Sequence, residues 1–452
     1  MKKRNQDLLN GPLLPNIVSY TIPIILTSLL QLLFNAADLV VVGRFCGSIS
    51  VAAVGATGSI TALIVNLFIG LSVGAGVTVA HGLGSHEDEV VHRTVHTAIP
   101  MALVSGVVVT ALGISLSERL LIMMGTPGDV LPLSTTYMEI YFAGVTFTMV
   151  YNFAAAILRA AGDTKSPLIF LTMAGVINVV LNLFFVMVLH MNVAGVALAT
   201  SISQAFSAVC VVIVLMKRTD ACRLQLKKMR FYKIQLKKMI RIGLPAGIQS
   251  SLFSISNVMI QSSINSFGGV LMSGNAAAQN IEGFVYVSLN AFHQTTVNFV
   301  GQNVGARQYE RVKKILYICL ICATVVGITM GGLAYGFGET LLSFYITDSP
   351  EAIVYGMNRL SIICVFYFLC GLMDVSTGAL RGMGASVEPM IISVLGVCGV
   401  RIGWIATIFQ IPQFHTAKCL YISYIFSWTL TFVIQMIAFY RVYRRQKQAM
   451  EQ

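Results

Sequence analysis

One carboxylate lies inside an otherwise apolar stretch near the start of the chain. Asp38 follows the run TIPIILTSLLQLLFNAA, and no Lys or Arg lies a helical turn before it. An ionisable residue in a membrane-spanning helix costs about 2.5–3.5 kcal/mol on insertion scales, and such residues usually face a cavity and carry function. Asp38 is therefore a candidate for binding a cation or a proton. The alternative is a carboxylate at a helix end that reaches interfacial water, since Arg44 is already at the predicted membrane edge.

The composition indicates a protein that crosses a membrane many times. Of its 452 residues, 56% are hydrophobic and 11% are charged, whereas a soluble domain carries about a quarter charged residues. The first residues are basic, but no short apolar run with a small-residue cleavage site follows, so we expect no cleaved signal peptide. The nine cysteines are scattered, and we expect those in apolar helices, including Cys319 and Cys322, to pack as small apolar residues.

Twelve apolar runs are long enough to span a bilayer. Their approximate limits are 16–42, 52–78, 94–116, 132–158, 167–190, 193–216, 242–267, 276–300, 313–336, 353–379, 388–410 and 418–442. The predicted fold is therefore an all-α polytopic membrane protein with twelve transmembrane helices.

The basic residues predict the orientation. If the N-terminus is inside, 25 of the 30 Lys and Arg residues lie in cytoplasmic segments, Arg359 is one of four outside, and Arg401 lies within a span. This bias predicts cytoplasmic N- and C-termini in the cell inner (plasma) membrane. The net charge of +12 thus reflects topology, and we expect no nucleic-acid partner.

The centre of the chain is strongly basic. Residues 217–241 hold ten basic residues and one acid, and LQLKKM recurs there as IQLKKM. Apolar residues at roughly helical spacing predict a basic amphipathic helix on the cytoplasmic leaflet, linking two halves. A regulatory lipid or protein site is the alternative.

The two halves repeat each other. The segment ILRAAGDTKSP at 157–167 recurs as ALRGMGASVEP at 379–389, an offset of 222, and the loop containing Glu89 recurs around Glu310 at an offset of 221. We therefore predict a six-helix lobe at 1–216, the linker at 217–241 and a second six-helix lobe at 242–452. Six spans per half give both lobes the same orientation, related by a pseudo-two-fold axis along the membrane normal, which is a transporter architecture.

At these motifs the sequence resembles the MATE family, the multidrug and toxic compound extrusion transporters, and in particular its bacterial NorM-like and DinF-like members. The matching features include FNAADLVVVGRF, AILRAAGDTKSP, GVINVVLN, GVALATSISQ, IRIGLPAGIQ, FVGQNVGA and GALRGMG, and they cover nearly the whole chain in order. The resemblance implies two helical bundles around a cleft. It also implies cation-coupled efflux of amphipathic, often cationic compounds.

The resemblance also implies a cation-coupling site in the first lobe. Asp38 matches an acid on the first helix, while Asn178 and Thr200 match polar residues on the fifth and sixth helices; Asn182 stands where some members have a second Asp, and Phe34 where some have a Tyr. Residues four apart share a helix face, so Asn178 and Asn182 do. At 1.5 Å rise per residue, Asp38 and Thr200 lie about 6 Å and 10 Å from the outer ends of their helices. Packing between helices is the alternative role for the two Asn residues.

The second lobe offers a second candidate site. Asp374 resembles a tenth-helix Asp of some members, although Phe253 replaces their seventh-helix Glu. Glu282 and Arg401 are further charges inside spans. Because their estimated depths are similar and a lone charge there is costly, we predict that Arg401 pairs with Glu282. We expect His293 to be a hydrogen-bonded packing residue.

These observations favour a secondary active antiporter that exports amphipathic, cationic organic compounds in exchange for protons or sodium. The alternative is a flippase for a lipid-linked precursor, but such a protein needs several cavity cations to hold pyrophosphate. The chain contains no HExxH, GxSxG or nucleotide-binding loop, so we predict that it is not an enzyme. We expect no cofactor or resident metal, with Na⁺ as an alternative coupling ion. The expected partners are small organic substrates and membrane lipid, and the expected state is a monomer.

Topology can be tested by labelling. In a cysteine-less background, single cysteines placed in either terminus or in 217–241 should resist a membrane-impermeant maleimide added to intact cells, because these segments are predicted to be cytoplasmic. Cysteines placed in the loop between residues 124 and 130 should react and serve as the control. Labelling of 217–241 from outside would overturn the orientation.

Overall fold

The structure is a computed structural model that describes residues 6–347 and 349–451. Within those ranges it contains fifteen α-helices and no strand. The helices are α1 Leu13–Phe45, α2 Ser48–Gly84, α3 Asp88–Met123, α4 Leu131–Ala160, α5 Lys165–Leu183, α6 Asn192–Lys217, α7 Lys233–Asn265, α8 Gly269–Gly305, α9 Tyr309–Gly336, α10 Gly338–Ser343, α11 Pro350–Ile363, α12 Tyr367–Gly382, α13 Val387–Ser393, α14 Val400–Ala406 and α15 Ala417–Glu451.

Two of the helical segments contain π-helical turns. The α5 helix continues as a π-helical turn at Phe184–Val188, and Val394–Gly399 joins α13 to α14 in the same way. Single π-turns inside α-helices often occur at functional sites.

Most of the long helices are apolar enough to cross a membrane. Among the described residues, nine helices pass on length and hydropathy, and α11 with α12, bent by 46° at their junction, gives a tenth. The α7 and α8 helices are 33 and 37 residues long, but they are richer in Ser, Asn and Gln. The all-α polytopic fold class is confirmed.

The chain forms two compact units, and each unit includes the start of a helix from the other half of the sequence. The first unit comprises mainly residues 22–251, and the second comprises residues 8–21 and 252–452. Compared with the predicted lobes, the linker and the start of α7 therefore belong to the first unit. The start of α1 belongs to the second.

In the first unit, α2 and α7 approach so closely that side chains would not fit between them. A Cβ at Gly70 would lie 2.2 Å from the backbone nitrogen of Gly247, and a Cβ at Gly74 would lie 2.1 Å from the carbonyl oxygen of Met239. Gly243 meets the backbone of α2 in the same way. Each helix therefore contributes a GxxxG pair, the pattern that allows close backbone packing between membrane helices.

In the second unit, the equivalent crossing is between α1 and α8, and a hydrogen bond joins these two helices. Thr295 on α8 corresponds to Gly74 in the repeat, and Thr21 on α1 corresponds to Gly243. The two threonine Oγ1 atoms are 2.9 Å apart, and both residues are buried. In the second unit the contact is therefore between hydroxyl groups, whereas in the first it is between glycine backbones.

The chain before α1 is also tied to the second unit. Leu8 is 1% exposed, and its carbonyl accepts a hydrogen bond from Asn303 Nδ2 at 3.0 Å. The Gly11 carbonyl accepts one from Arg311 Nη2 at 3.1 Å.

The prediction that the linker is one amphipathic helix is wrong. After α6 ends at Lys217, the chain is irregular apart from a short 3₁₀ turn at Leu226–Lys228, and α7 begins at Lys233. Cys222 and Leu224 are buried in the core of the first unit, so the apolar residues that suggested a helix face fill a core instead. Burial raises the pKa of the Cys222 thiol to about 12, which leaves it unreactive.

Backbone N–H groups of the linker donate hydrogen bonds to residues of α3. His96 Nε2 accepts a hydrogen bond from the Gln225 N–H at 2.9 Å, and the His96 carbonyl accepts one from the Arg230 N–H at 3.2 Å. The Tyr232 N–H donates to Thr97 Oγ1 at 3.2 Å. Because buried backbone groups need partners, these three bonds explain why an irregular segment can pack against the unit.

The glycine crossing predicts a position-specific loss of stability. Gly70→Ala should force α2 and α7 apart and lower the free energy of unfolding by about 1–3 kcal/mol, as overpacking does. Gly58→Ala is the control, because a Cβ at Gly58 meets no atom within 4 Å and alanine favours a helix. Thermal unfolding of both purified variants measures the difference. Equal stability of the two would contradict the proposed close packing.

Candidate functional site

Helices α1 and α5 are brought together one turn before the predicted acid. The Phe34 ring lies directly on Gly175, where a Cβ would come within 1.8 Å of the ring. A larger residue at 175 would displace the Phe34 ring from this position, so glycine allows this contact. This contact places the turn of α1 that carries Asp38 against the two turns of α5 that carry Asn178 and Asn182.

Asp38 contacts the amide of Asn182 at this point. Asn182 Nδ2 donates a short hydrogen bond to Asp38 Oδ1 and a second one, at 3.2 Å, to Asn178 Oδ1. Since both acceptors are oxygens, the orientation of the Asn182 amide is determined by its partners. Its Oδ1 is buried and has no hydrogen-bond partner among the described residues.

Thr200 on α6 closes the network. Its Oγ1 accepts from Asn178 Nδ2 at 3.2 Å, and it lies 3.4 Å from Asp38 Oδ2 and 3.0 Å from the Val196 carbonyl. The four residues predicted from the sequence are therefore in contact with one another. Their role in ion coupling is not shown by this contact and stays a prediction.

The network is buried on one side and open on the other. Asn178 and Asn182 are 5% and 0% exposed, whereas Asp38 and Thr200 are partly exposed. Tyr137 on α4 lies close enough to interact with the charge of Asp38. The π-helical turn begins two residues after Asn182. Sequence reasoning missed Tyr137, because an aromatic residue in a span carries no signal of its own.

Asp374 in the second unit has different neighbours. His293 on α8 has its Nδ1 2.7 Å from the Asp374 carbonyl and its Nε2 3.3 Å from Arg381 Nη1. His293 is therefore hydrogen-bonded and packed. The Arg381 charge also acts on the Asp374 carboxyl group, and Asp374 Oδ2 has no hydrogen-bond partner among the described residues.

The prediction that Glu282 pairs with Arg401 is wrong, because Glu282 pairs with Arg359. Arg359 Nε and Nη2 donate to the two carboxylate oxygens at 2.7 and 2.8 Å, and Nη1 donates to Asn275 Oδ1 at 2.7 Å. Glu282 and Arg359 are 4% and 2% exposed. This two-pronged pair with an additional amide partner satisfies a buried charge well.

Sequence reasoning counted Arg359 among the residues outside, although position 359 lies within its own predicted tenth span, 353–379. The α11 helix begins at Pro350, with the Ser349 side chain accepting from the Ala352 N–H at 3.3 Å. Arg359 is nine residues into that helix, about 14 Å from its start at the helical rise. Ser followed by Pro is a helix-start signal, so this start could have been found.

Arg401 is held by aromatic rings. Its Nε donates to Ser427 Oγ at 3.0 Å, and its guanidinium carbon lies 3.9 Å from the centre of the Tyr424 ring and 5.6 Å from that of Trp428. Desolvated cation–π contacts of this kind contribute about 2 kcal/mol. Glu282 and Arg401 thus make their hydrogen bonds to different side chains, although the Tyr424 ring lies near the guanidinium groups of both Arg359 and Arg401.

The chemistry available to a cation follows from these contacts. Among the described residues, no group of three or more His, Cys, Asp or Glu converges in a way that could hold a metal ion. At Asp38 a cation would meet one carboxylate, two amides and a hydroxyl. Such a set can exchange a proton or hold a weakly bound hard cation, which prefers oxygen ligands.

The buried pair predicts an asymmetric effect of mutation. Arg359→Met should lower the free energy of unfolding by about 3–5 kcal/mol, because it leaves Glu282 buried without its cation. The double variant Arg359→Met with Glu282→Leu should recover much of that loss. Thermal unfolding of the purified proteins measures both. An Arg359→Met protein as stable as the wild type would show that the pair is unimportant.

Comparison with known proteins agrees with this fold. The MatE family model matches residues 23–184 and 245–405. The chain is 26% identical over 395 residues to the probable multidrug resistance protein YpnP of Bacillus subtilis, covering 87% of this chain and 88% of that protein. It is 25% identical to the probable multidrug resistance protein NorM of Thermotoga maritima, covering 85% and 83% of the two chains.

Solved structures show the same fold. The outward-facing conformation of a multidrug resistance MATE family transporter of the MOP superfamily aligns with a TM-score of 0.90 at 22% identity, covering 99% of each chain. A MOP superfamily transporter from Pyrococcus furiosus aligns with a TM-score of 0.90 at 21% identity, covering 97% of this chain and 98% of that one. These neighbours have the twelve-helix, two-bundle fold. The chain belongs to the MATE family, whose members are membrane transporters and not enzymes.

Proposed function

We propose that this protein is a secondary antiporter that exports amphipathic, cationic organic compounds, and that a proton bound at Asp38 drives the export. The observation that carries the proposal is the contact of Asp38 with Asn182 and Thr200 inside apolar helices. Relatives named as multidrug resistance proteins, and the multidrug export protein MepA of Staphylococcus aureus at 20% identity, support export of drug-like cargo.

The network supports a proton because it can satisfy both forms of the acid. When Asp38 is ionised, the Thr200 hydroxyl can donate to Oδ2. When Asp38 is protonated, its O–H can donate to Thr200 Oγ1, because that hydroxyl can turn its own proton to the Val196 carbonyl, 3.0 Å away. Both oxygens of the Asp38 carboxyl group keep a hydrogen-bond partner in either state, so the site can load and release a proton at small cost.

Sodium is the second ion to test. A sodium ion would need oxygen ligands, but Asn182 presents its N–H side to Asp38. Turning that amide would bring its free Oδ1 towards the ion and give up two hydrogen bonds. The proton therefore requires less rearrangement.

The charge of the first unit supports cationic cargo. Asp38 has no Lys or Arg partner among the described residues, so loading of the cargo can compete with loading of the proton. Two arginines, Arg359 and Arg401, lie deep in described spans of the second unit. Glu282 neutralises Arg359, and Arg401 lies against the rings of Tyr424 and Trp428. A flippase would need free cations to hold pyrophosphate, so we favour export.

Coupling requires that the proton-bound and empty states favour different conformations. The membrane potential supplies roughly 2.3 kcal/mol per 100 mV for each positive charge that moves inwards, before any concentration gradient. A cargo with one positive charge that is exchanged for one proton moves no net charge, so the proton concentration gradient alone drives that exchange, whereas export of a neutral cargo also uses the membrane potential.

The test is export of a cationic dye from proteoliposomes with an imposed proton or sodium gradient. The wild type should respond to the proton gradient. Asp38→Asn fixes the site in a neutral form, so export should fall to the level of protein-free liposomes, while the protein still folds and inserts. Asp129→Asn is the control, because it removes an exposed loop carboxylate.

Two results would contradict the proposal. Uphill export by a well-inserted Asp38→Asn protein would remove Asp38 from the mechanism and direct attention to Asp374. A response to the sodium gradient alone would assign the coupling ion to sodium.

A further inference from the structure

A basic cleft lies in the second unit, and Asp38, Glu282 and Asp374 are not among the residues that line it. It has a volume of about 410 Å³ and lies between the loop before α9, the first turns of α9 and the end of α15. The lining residues are Arg307, Gln308, Tyr309, Glu310, Arg311, Lys314, Lys447 and Met450. Its size is within the range of about 300–1,000 Å³ that is usual for small-molecule sites.

Among the described residues that line the cleft, cations outnumber acids. Glu310 accepts from Lys447 Nζ at 2.7 Å and from the Tyr443 hydroxyl at 3.3 Å. Arg307 and Lys314 are exposed, and no acid other than Glu310 is among the described lining residues. Pairing Glu310 with Lys447 therefore leaves the charges of Arg307 and Lys314 beside an open volume.

The repeat shows that the loop itself does not need this charge. Arg307 has φ of 58°, and His86, its counterpart in the first half, has φ of 56°, so the two loops turn in the same left-handed conformation. Yet residues 86–93 contain three acids and one Arg or Lys, whereas residues 307–314 contain one acid and four. The same backbone turn therefore occurs with a net negative charge in one half and a net positive charge in the other. The conformation of the loop does not require the basic residues.

We propose that this cleft binds a phosphate-bearing anion. The planar guanidinium of arginine matches the geometry of a phosphate group, and lysine adds a point charge. Tyr309 and Met450 give the cleft a less polar wall that suits the carbon skeleton next to the phosphate. The phosphate group belongs either to a soluble phosphomonoester or to the headgroup of an acidic phospholipid. The inference is independent of the transport proposal.

Binding can be measured on the full-length protein in an uncharged detergent and in nanodiscs. Isothermal titration with glycerol 3-phosphate tests the soluble source. Native mass spectrometry of protein released from mixed phosphatidylglycerol and phosphatidylcholine nanodiscs tests the lipid source. The variant Arg307→Gln with Lys314→Gln should weaken binding of at least one probe by about tenfold or more, because it removes two charged donors. Both side chains are exposed, so the fold should be unchanged.

The control is Lys313→Gln, which removes a charge from the same turn of α9 without lining the cleft. It should change binding less than about twofold, as expected for screened charge at a distance. Binding of glycerol 3-phosphate assigns the site to soluble phosphoesters, and selective retention of phosphatidylglycerol alone assigns it to lipid. An equal loss in Lys313→Gln, or no binding of either probe by the wild type, would overturn the proposal.

Discussion

A carboxylate inside an apolar helix needs polar partners from other helices, because little water is available in the hydrocarbon region. This constraint decides which helices are neighbours here. Asp38 on α1 requires Asn182 on α5 and Thr200 on α6, and Glu282 on α8 requires Arg359 on α11. The first set uses neutral partners, whereas the second is an ion pair whose charges neutralise each other. The two units thus satisfy buried acids by different chemistry.

The two halves of the repeat also pack the same pair of helices in different ways. Gly74 and Gly243 allow backbones to touch, while Thr295 and Thr21 replace that contact with a hydrogen bond. Hydrogen bonds between membrane helices contribute little, on average about 0.6 kcal/mol, so close packing and a hydroxyl pair can be exchanged at similar cost. Divergence between the halves is therefore easy at crossings, provided that both sides change together.

The first-unit network was expected from the resemblance to the MATE family, and helix periodicity and rise agree with it because they place residues within long, regular helices. Asn178 and Asn182 share a face for that reason, and their contact with Asp38 and Thr200 could be anticipated. The pairing of Glu282 with Arg359 was missed because Arg359, six residues after the predicted start of the tenth span at 353, was counted as an outside residue and was not considered as a buried charge. The linker prediction failed for another reason: the burial of Cys222 and Leu224 depends on the core of the first unit, which the spacing of apolar residues cannot reveal.

Residues 8–21, near the start of the chain, belong to the second unit, and this has a consequence for biosynthesis. Leu8, Gly11 and Thr21 bond to Asn303, Arg311 and Thr295, so the residues that leave the ribosome first wait for partners made nearly 300 positions later. Such non-local contacts form slowly. Until the second half is inserted, the N-terminal end of the first helix has to remain without these hydrogen-bond partners. A stall or truncation after the sixth helix would therefore leave an exposed segment that quality-control proteases can recognise.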